Sequence, residues 1–458
     1  IPASFCPPAG AAWKSRNGLT PTSAPDRLAG GQFAALPETR GLSRESSEAI
    51  IAHVMKRTAL LLIASWPLAA AQPAAPAAVA DPQKLAQIPV RMKEFVDRGQ
   101  LSGVVTLVAR RGAVVAHDAV GWQNVEEKKP MRKDTIFQIM SMTKPVTGVA
   151  IMILAEEGRL RLVDPVEKHI PEFRGQMLEA TDASGAKSLK KPSRVITIAD
   201  LMTHTSGMQA NPSGEWKDLY QKLDRTLAEA VPAFAKYPLV FEPGSKWQYS
   251  NMGIATLGRI VEVVSGQKFE KFIEQRIFFP LGMKDSFIFP PAEKTGRIAI
   301  VYRSVNGKLE RAGADILGGP SWEFRKGAVY SGPEFALYST AEDLFRFHQM
   351  MLNGGQFQGK RILSKASVEV MTATHTGDLK TGHIPGAGRG LTWETVRTPE
   401  GTLLYLSDGA YGHGGAFGTH GWVDPKRALV GIFLVQSTSG SAALDAKYAF
   451  MQMATASF

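Results

Sequence analysis

The chain has 458 residues, 44% of them hydrophobic and 21% charged, a composition typical of a globular protein with one or two domains. Its net charge of +11 comes from scattered basic pairs without long runs, which favours a solvated basic surface over a nucleic-acid site. The single cysteine, Cys6, excludes an intramolecular disulfide and a cysteine-based metal site. The nine histidines form no H-E-x-x-H motif, so we expect no metal and no other cofactor.

The segment that begins at Met55 has the layout of a secretory signal peptide. Lys56 and Arg57 precede a short apolar run, and small residues follow at 69–71 and 78–80. The sequence therefore predicts a signal peptide and Ala/Pro linker over 55–80, a periplasmic or secreted protein, and no stable membrane insertion after cleavage. Because a signal peptide should start its chain, we interpret residues 1–54 as an upstream, non-native segment.

From about Asp81 the patterns predict folded structure. The stretch LAQIPVRMKEFVDRG indicates an amphipathic helix, and GVVTLVARRGAVVAHDAVGW indicates two strands joined by a hairpin at Arg111-Gly112. A long apolar helix is then expected from about Thr143 to Glu157, where Gly158 would end it.

The middle of the chain is rich in helix patterns and irregular loops, whereas its end returns to strands. After about His383, strands are predicted in GRGLTWETV, TLLYLSDG, GTHGWVDP and RALVGIFLVQST, followed by a helix in AALDAKYAFMQMA. This order predicts an α/β (α+β) fold, with an antiparallel sheet built from both chain ends and flanked by helices. The predicted α/β domain comprises 81–165 and 383–458, with an inserted helical domain at 166–382.

A serine nucleophile with a lysine base is the first candidate chemistry. The S-x-x-K motif occurs four times, at Ser141/Lys144, Ser184/Lys187, Ser188/Lys191 and Ser265/Lys268. Only Ser141 opens a strongly apolar helix, where positions i and i+3 share a face and Lys144 would lie over the hydroxyl. A lysine in apolar surroundings loses proton affinity and can activate a serine. The alternative is an N-cap serine with a lysine that extends to solvent.

A second element, Tyr249-Ser250-Asn251, is the only Y-x-N motif and lies in a loop before a predicted helix. One interpretation makes Ser250 or Asn251 an N-cap and Tyr249 a packed aromatic residue. The other places the Tyr249 phenol beside Lys144, where the cation would favour the phenolate. A Ser–Lys–Tyr cluster could then take the nucleophile's proton and return it to the leaving group.

The third element is His413-Gly414-Gly415-Ala416, at the start of a strand region. Its glycines would allow a close approach of backbone to substrate, although a plain β-turn is the alternative. The N–H groups of Ala416 and Ser141 could together form an oxyanion hole.

In this order and spacing, the three elements resemble the serine hydrolases of the class C β-lactamase and penicillin-binding-protein superfamily. The closest similarity is to the family VIII carboxylesterases. The stretches LMTHTSGM, FEPGSKWQYSN, FFPLGMKDSF, LYSTAEDLFRF and GHGGAFGTHGWVDP carry it over roughly residues 85 to 455. The resemblance implies a β-lactamase-like fold.

The resemblance also implies roles for individual residues. Ser141 would be the acylated nucleophile, with Lys144 and Tyr249 sharing the general-base role, and Asn251 would orient Lys144 or the substrate. The substrate-binding group His413, Gly414 and Gly415 would replace the usual K-T-G motif.

That replacement indicates the substrate class. His413 is a weaker cation than lysine near neutral pH, and Gly414 has no hydroxyl group, so the site should have fewer anchors for a substrate carboxylate. We therefore expect a serine carboxylesterase that hydrolyses short-chain esters through an acyl-enzyme, with promiscuous β-lactam hydrolysis. Three alternatives stay open: a class C-like β-lactamase or D,D-peptidase, an acyltransferase, and a non-catalytic penicillin- or cell-wall-binding protein.

Overall fold

The computed structural model describes residues 80–314, 316–382 and 384–458, so the predicted signal peptide and the segment before it lie outside the described residues. Within these ranges the α-helices are α1 (Pro82–Asp97), α2 (Thr143–Glu156), α3 (Val166–His169), α4 (Ile198–Thr203), α5 (Leu219–Lys222), α6 (Leu227–Phe234), α7 (Asn251–Ser265), α8 (Phe269–Ile273), α9 (Phe279–Leu281), α10 (Ala341–Leu352), α11 (Lys365–Thr372) and α12 (Gly440–Ala456). The strands are β1 (Gly103–Arg110), β2 (Ala113–Asn124), β3 (Lys129–Pro130), β4 (Phe137–Gln138), β5 (Leu178–Thr181), β6 (Lys187–Lys190), β7 (Tyr302–Val305), β8 (Lys308–Arg311), β9 (Tyr338–Ser339), β10 (Gln356–Phe357), β11 (Lys360–Arg361), β12 (Ala387–Arg389), β13 (Glu394–Val396), β14 (Tyr411–Gly414), β15 (His420–Asp424) and β16 (Leu429–Leu434).

An eight-stranded antiparallel sheet joins the two ends of the described chain. Its strand order is β12-β13-β14-β15-β16-β1-β2-β3, and β1 pairs with β16 so that Val105 lies opposite Leu434. The predicted hairpin between β1 and β2 is present, and both turn residues, Arg111 (φ 51°) and Gly112 (φ 83°), have the left-handed conformation that a tight hairpin requires. The predicted mixed α/β fold with an antiparallel sheet is therefore confirmed.

Both faces of this sheet are covered by hydrophobic packing. Along β1, Val105 and Leu107 belong to the core cluster that contains most of α2, whereas Val104 and Val108 join a second cluster with residues of α1 and α12. This alternation follows from the two-residue period of a strand, and it explains why β1 reads as an almost continuous apolar run. The sheet is held rigidly between two helical layers.

The chain between the two groups of sheet strands differs from the prediction in detail. Besides helices it contains the small hairpins β5–β6, β7–β8 and β10–β11, most of whose residues are exposed and carry no alternating apolar signal. The stretch TLLYLSDG is also not a strand. Its Leu403 and Leu406 are three residues apart and both pack with Phe450 of α12, a spacing that suits the 3₁₀ turn found at Gly401–Leu403. The boundaries of the inserted helical domain stay a prediction.

The apolar helix α2 is the centre of the second helical layer. It runs from Thr143 to Glu156, as predicted, and every residue from Thr143 to Leu154 is buried. A helix that is apolar on all sides belongs inside a protein core or a membrane. Here it packs against α7, and none of the helices in the described ranges is both long and apolar enough to cross a bilayer.

Candidate active site

Ser141 and Lys144 meet at the start of α2. Ser141 lies in a one-turn 3₁₀ helix, Met140–Met142, which leads directly into α2, and Lys144 belongs to the first turn of α2. The Lys144 Nζ donates a hydrogen bond of 3.1 Å to the Ser141 Oγ. The serine is half-buried and the lysine is completely buried. The predicted i, i+3 stacking of amine over hydroxyl is therefore present, with the serine just before the α-helix.

The other S-x-x-K motifs lack such an environment. Ser184 and Ser188 belong to the exposed β5–β6 hairpin with their lysines. Ser265 ends α7, and Gly266 follows in the left-handed conformation (φ 75°) as the predicted C-cap. None of these three pairs offers a buried lysine beside a serine, so the structure favours Ser141.

One face of α2 is fastened to the loop before β9. The Lys144 Nζ donates to the Glu334 carbonyl oxygen at 2.7 Å, and the Thr147 hydroxyl donates to the Pro333 carbonyl oxygen at 2.7 Å. Burial lowers the pKa of Lys144 to about 7, an effect that the Glu334 carboxylate opposes and the Arg389 cation reinforces. The amine is thus held at the serine with a proton affinity suited to a base near neutral pH.

Tyr249 is the third member of this cluster. The Lys144 Nζ lies 4.7 Å from the centroid of the tyrosine ring. Burial raises the pKa of Tyr249, and the hydrogen bond from the Ser141 side chain only partly offsets that rise. Burial therefore disfavours the phenolate, and the role of Tyr249 in taking the serine's proton stays a prediction. The phenol is protonated at neutral pH.

His204 holds the tyrosine ring in place, and the sequence analysis did not identify it. Its ring stacks on Tyr249 with centroids 4.5 Å apart, and its Nδ1 accepts the Ser250 N–H at 3.1 Å. Burial lowers the pKa of His204 far below its ordinary value, and the Arg389 and Lys144 cations lower it further. The residue ends α4 in the left-handed conformation, a position that nothing in LMTHTSGM marks as belonging to a site.

The two residues after Tyr249 serve the start of α7. Ser250 is the N-cap, and its hydroxyl accepts the Gly253 N–H at 3.0 Å. The Asn251 amide donates to the Asn211 side-chain oxygen at 2.8 Å. Among the described residues no hydrogen bond joins Asn251 to Lys144, so its orienting role stays a prediction.

The turn after β14 approaches the nucleophile segment closely. The Thr419 hydroxyl donates to the Ile139 carbonyl oxygen at 3.0 Å, and a Cβ added at Gly415 would lie only 2.3 Å from that same oxygen. The glycine is therefore needed for contact with protein backbone, whereas the sequence analysis assigned the close approach to substrate. In the described part of the chain, the N–H groups of Ser141 and Ala416 donate to no protein acceptor, so both are available for an oxyanion.

Replacement of Gly415 by alanine should test this contact. The new methyl group would clash with Ile139 and push the turn that carries Ala416 away from Ser141. We expect kcat/KM for an ester to fall about 10- to 100-fold, the range expected when an oxyanion donor is misplaced. Steady-state kinetics and thermal unfolding measured together will check it. The matched control is Gly440→Ala, where a Cβ would meet nothing within 4 Å. Equal kinetics in both variants would contradict the role of the turn.

His413 differs from the weak cation that the sequence analysis assumed. It is buried, and its Nδ1 lies 2.7 Å from the Gly414 carbonyl oxygen, so the Nδ1 carries a proton. Burial holds the pKa of His413 well below its ordinary value, and the Lys144 and Arg389 cations lower it further. The ring is neutral at neutral pH. His413 therefore does not supply a cation to the site at neutral pH.

A second cation, Arg389, was missed by the sequence analysis. Its guanidinium lies 4.9 Å from the centroid of the Trp247 ring and forms an ion pair of 3.1 Å with Glu394. These two charged residues lie opposite each other on the neighbouring strands β12 and β13. The stretch GRGLTWETV, predicted as one strand, is thus a hairpin of two, and the pairing of β13 with β14 sets it beside the strand that carries His413. No cluster of three or more potential metal ligands occurs in the described ranges.

Comparisons with known proteins show the family to which the chain belongs. The beta-lactamase family model matches residues 91–453. Protein Rv1367c of Mycobacterium tuberculosis is 33% identical over 365 residues, which cover 75% of this chain and 88% of that protein. Esterase EstB of Burkholderia gladioli is 29% identical over 367 residues, covering 74% of this chain and 87% of EstB.

A solved structure extends the agreement to the fold. EstCE1, described as a hydrolase with promiscuous acyltransferase activity, superposes with a TM-score of 0.68 at 23% identity. The match covers 81% of this chain and 99% of EstCE1. The fold and the family indicated by the three motifs are thereby confirmed: the chain belongs to the beta-lactamase family, and it is a serine hydrolase related to the family VIII esterases.

Proposed function

We propose that the protein is a serine carboxylesterase that hydrolyses short-chain carboxylic esters through an acyl-enzyme on Ser141. One observation carries the proposal. A completely buried lysine amine, with a pKa lowered to about 7, lies 3.1 Å from the hydroxyl of a serine at the start of a buried helix. The similarity to Esterase EstB supports esters as the substrate class.

In the proposed mechanism Lys144 is the base and Tyr249 carries protons. The neutral Lys144 amine takes the Ser141 hydroxyl proton as the oxygen attacks the ester carbonyl, and the Ser141 and Ala416 N–H groups bind the oxyanion. The Tyr249 phenol protonates the departing alkoxide and regains a proton from the Lys144 ammonium. Water then attacks the acyl-enzyme and gives its proton to Lys144, and the Lys144 ammonium returns that proton to the departing Ser141 oxygen as the acid is released. Because the pKa of Tyr249 is raised, this assignment fits better than a tyrosinate base.

Electrostatics favour neutral esters over substrates with a carboxylate. The neutral ring of His413 cannot pair with an anion, and Gly414 has no hydroxyl group to donate. The Arg389 cation is already paired with Glu394 and covered by Trp247, so it is not a free anchor. We therefore propose that β-lactams are at most weak, promiscuous substrates, because acylation itself needs only the nucleophile, the base and the oxyanion hole.

A substrate series tests this proposal directly. p-Nitrophenyl esters from acetate to laurate should be hydrolysed, with the fastest turnover among the short chains, and a chromogenic cephalosporin should be turned over more slowly. Rapid acid quenching followed by peptide mass spectrometry should find the acyl group on Ser141. Cephalosporin turnover faster than that of every ester would favour the β-lactamase alternative, and a lasting acyl adduct without turnover would favour a penicillin-binding protein.

The Tyr249→Phe variant should separate proton transfer from packing. The phenyl ring keeps the stack on His204 but has no hydroxyl to protonate the leaving group, so kcat should fall at least ~100-fold with little change in thermal stability. The loss should shrink for esters of acidic alcohols, whose alkoxides leave without a proton. Tyr405→Phe, at an exposed tyrosine, is the control. A near wild-type rate in Tyr249→Phe would remove the phenol from the mechanism.

We also propose that the protein is exported. Support comes from the positive start, apolar run and small residues of the 55–80 segment. Expression from Met55 in a Gram-negative host, followed by cell fractionation and N-terminal sequencing, should place the mature protein in the periplasm and its start between residues 69 and 81. A cytoplasmic product that retains Met55 would contradict the proposal.

A further inference from the structure

A buried acidic group lies behind the lysine and has no part in the mechanism above. The main-chain carbonyl oxygen of Glu334 accepts the 2.7 Å hydrogen bond from the Lys144 Nζ. The side chain of Glu334 is completely buried. One carboxyl oxygen, Oε1, accepts a hydrogen bond of 2.8 Å from the Tyr330 hydroxyl, while Oε2 has no hydrogen-bond partner among the described residues. Burial of a carboxyl group with an oxygen that lacks a hydrogen-bond partner costs free energy, and this cost favours the protonated form.

We propose that the Glu334 carboxyl group is a positioning residue that sets the pH range in which Lys144 acts as the base. This inference rests on the proposed function, in which Lys144 takes the Ser141 proton. The carboxyl does not touch Ser141 or substrate in this scheme. It acts through its charge, because its residue is bound to the amine through the main-chain carbonyl and both side chains are completely buried.

The electrostatics of the pair support this role. Burial lowers the pKa of Lys144 and raises the pKa of Glu334, each to about 7, and each charge favours the other. The two groups therefore titrate as a pair, and the pair binds two protons at low pH and none at high pH. A negatively charged Glu334 stabilises the Lys144 ammonium and so raises the pH at which the free amine forms. A protonated Glu334 does not stabilise the ammonium, so the free amine forms at lower pH.

Other titratable or charged groups lie near Lys144 and Glu334, and their pKa values show which of them can change charge near neutral pH. The titratable or charged neighbours are Tyr249, His204, His413 and Arg389 around the lysine, and Tyr220 and Tyr330 around the carboxyl. Burial raises the pKa of both Tyr220 and Tyr330 far above the ordinary value, and the Glu334 charge raises it further. Burial keeps His204 and His413 neutral. Glu334 is therefore the neighbour of Lys144 that can change its charge near neutral pH.

The test is the pH dependence of kcat/KM for a p-nitrophenyl ester in Glu334→Gln. Glutamine keeps the size and the backbone carbonyl but removes the negative charge, so the pKa of Lys144 should fall. The acidic limb should move to lower pH by about one unit, the size expected of one carboxylate acting across a buried site. At pH 6 the variant should retain a larger share of its plateau rate than the wild type. If the acidic limb of Glu334→Gln lies at the same pH as that of the wild type, the proposal is overturned, whether or not the plateau rate is lower.

Two further variants separate charge from structure. Tyr330→Phe removes the hydrogen bond that favours the Glu334 carboxylate. The acidic limb of its pH profile should therefore also move to lower pH, by less than in Glu334→Gln. Asp343→Asn removes a different buried carboxyl, which accepts hydrogen bonds from the Asp285 N–H and the Ser286 hydroxyl, and its limb should stay in place. If Glu334→Gln does not fold, the Tyr330→Phe result decides.

A direct titration distinguishes this inference from the proposed function. In protein labelled with ¹³C at the lysine ε-carbon, the Lys144 signal can be identified by its loss in Lys144→Met and followed with pH. A lower Lys144 pKa in Glu334→Gln would support the inference even if the protein hydrolysed no ester. An unchanged Lys144 pKa would overturn it even if Ser141 proved to be the nucleophile of an active esterase.

Discussion

The Ser141→Ala variant is expected to lose ester hydrolysis almost completely, by at least ~1,000-fold in kcat for p-nitrophenyl butyrate. The hydroxyl group is the only one in the described chain that lies beside a completely buried lysine amine, at 3.1 Å. Alanine removes the nucleophile but leaves Lys144, Tyr249 and the oxyanion donors in place. Substrate binding should therefore change far less than turnover, and the acyl adduct should be absent from quenched samples.

The matched control for this variant is Ser188→Ala. That serine also has a lysine three residues later, at Lys191, but both are exposed near the β5–β6 hairpin. It should hydrolyse the ester at the wild-type rate. Full activity in Ser141→Ala would mean that a different nucleophile, or a different mechanism, carries the reaction. Absence of hydrolysis in the wild type would shift the assignment to the β-lactam and binding-protein alternatives.

Local patterns were sufficient to predict the contact between Ser141 and Lys144 and the first hairpin of the sheet. Ser141 and Lys144 are three residues apart at the start of an apolar helix, so their contact depends only on helix geometry. The hairpin at Arg111-Gly112 and the alternation of β1 likewise follow from short-range rules. The pairing of β1 with β16 required one further idea, namely that β-rich ends around a helical middle join in one sheet.

The residues that surround the nucleophile were beyond such patterns. Glu334 contacts Lys144 from 190 positions away along the chain, and the hairpin that carries Arg389 reaches the site through the pairing of β13 with β14. His204 is fixed by a left-handed helix end and by its stack on Tyr249. Each of these contacts depends on tertiary packing, which one sequence does not display.

Burial changes the expected charge of two groups. The sequence analysis considered a phenolate at Tyr249 and a weak cation at His413 from the ordinary pKa values of these groups in water. Burial makes the charged form costly in each case, so it raises the pKa of the phenol and lowers that of the imidazole. The same effect acts on Lys144, where it creates the base that the mechanism needs. Burial therefore decides which of the three groups can exchange a proton near neutral pH.

Replacing Lys144 with alanine should lower kcat at least ~100-fold, because the Ser141 hydroxyl would lose its proton acceptor. The free amine is the active form of a base, and the pKa of Lys144 is lowered to about 7. In the wild type kcat/KM should therefore rise with pH through about 7 and level off above it. This acidic limb should disappear in the variant, since Glu334, which also titrates in that range, acts only through Lys144 and the other groups near Ser141 keep their protonation state.

Because Lys144 is completely buried, alanine would also leave a cavity, so Lys144→Met is needed beside it. Methionine fills most of the space without a proton acceptor, and both variants should show the same kinetic loss although their thermal stabilities differ. Lys268→Ala, at the exposed lysine of another S-x-x-K motif, should leave kcat and the acidic limb of the pH profile unchanged. A limb near pH 7 that persists in Lys144→Met would assign the titration to another group and move the base role to Tyr249, despite the cost of its buried phenolate.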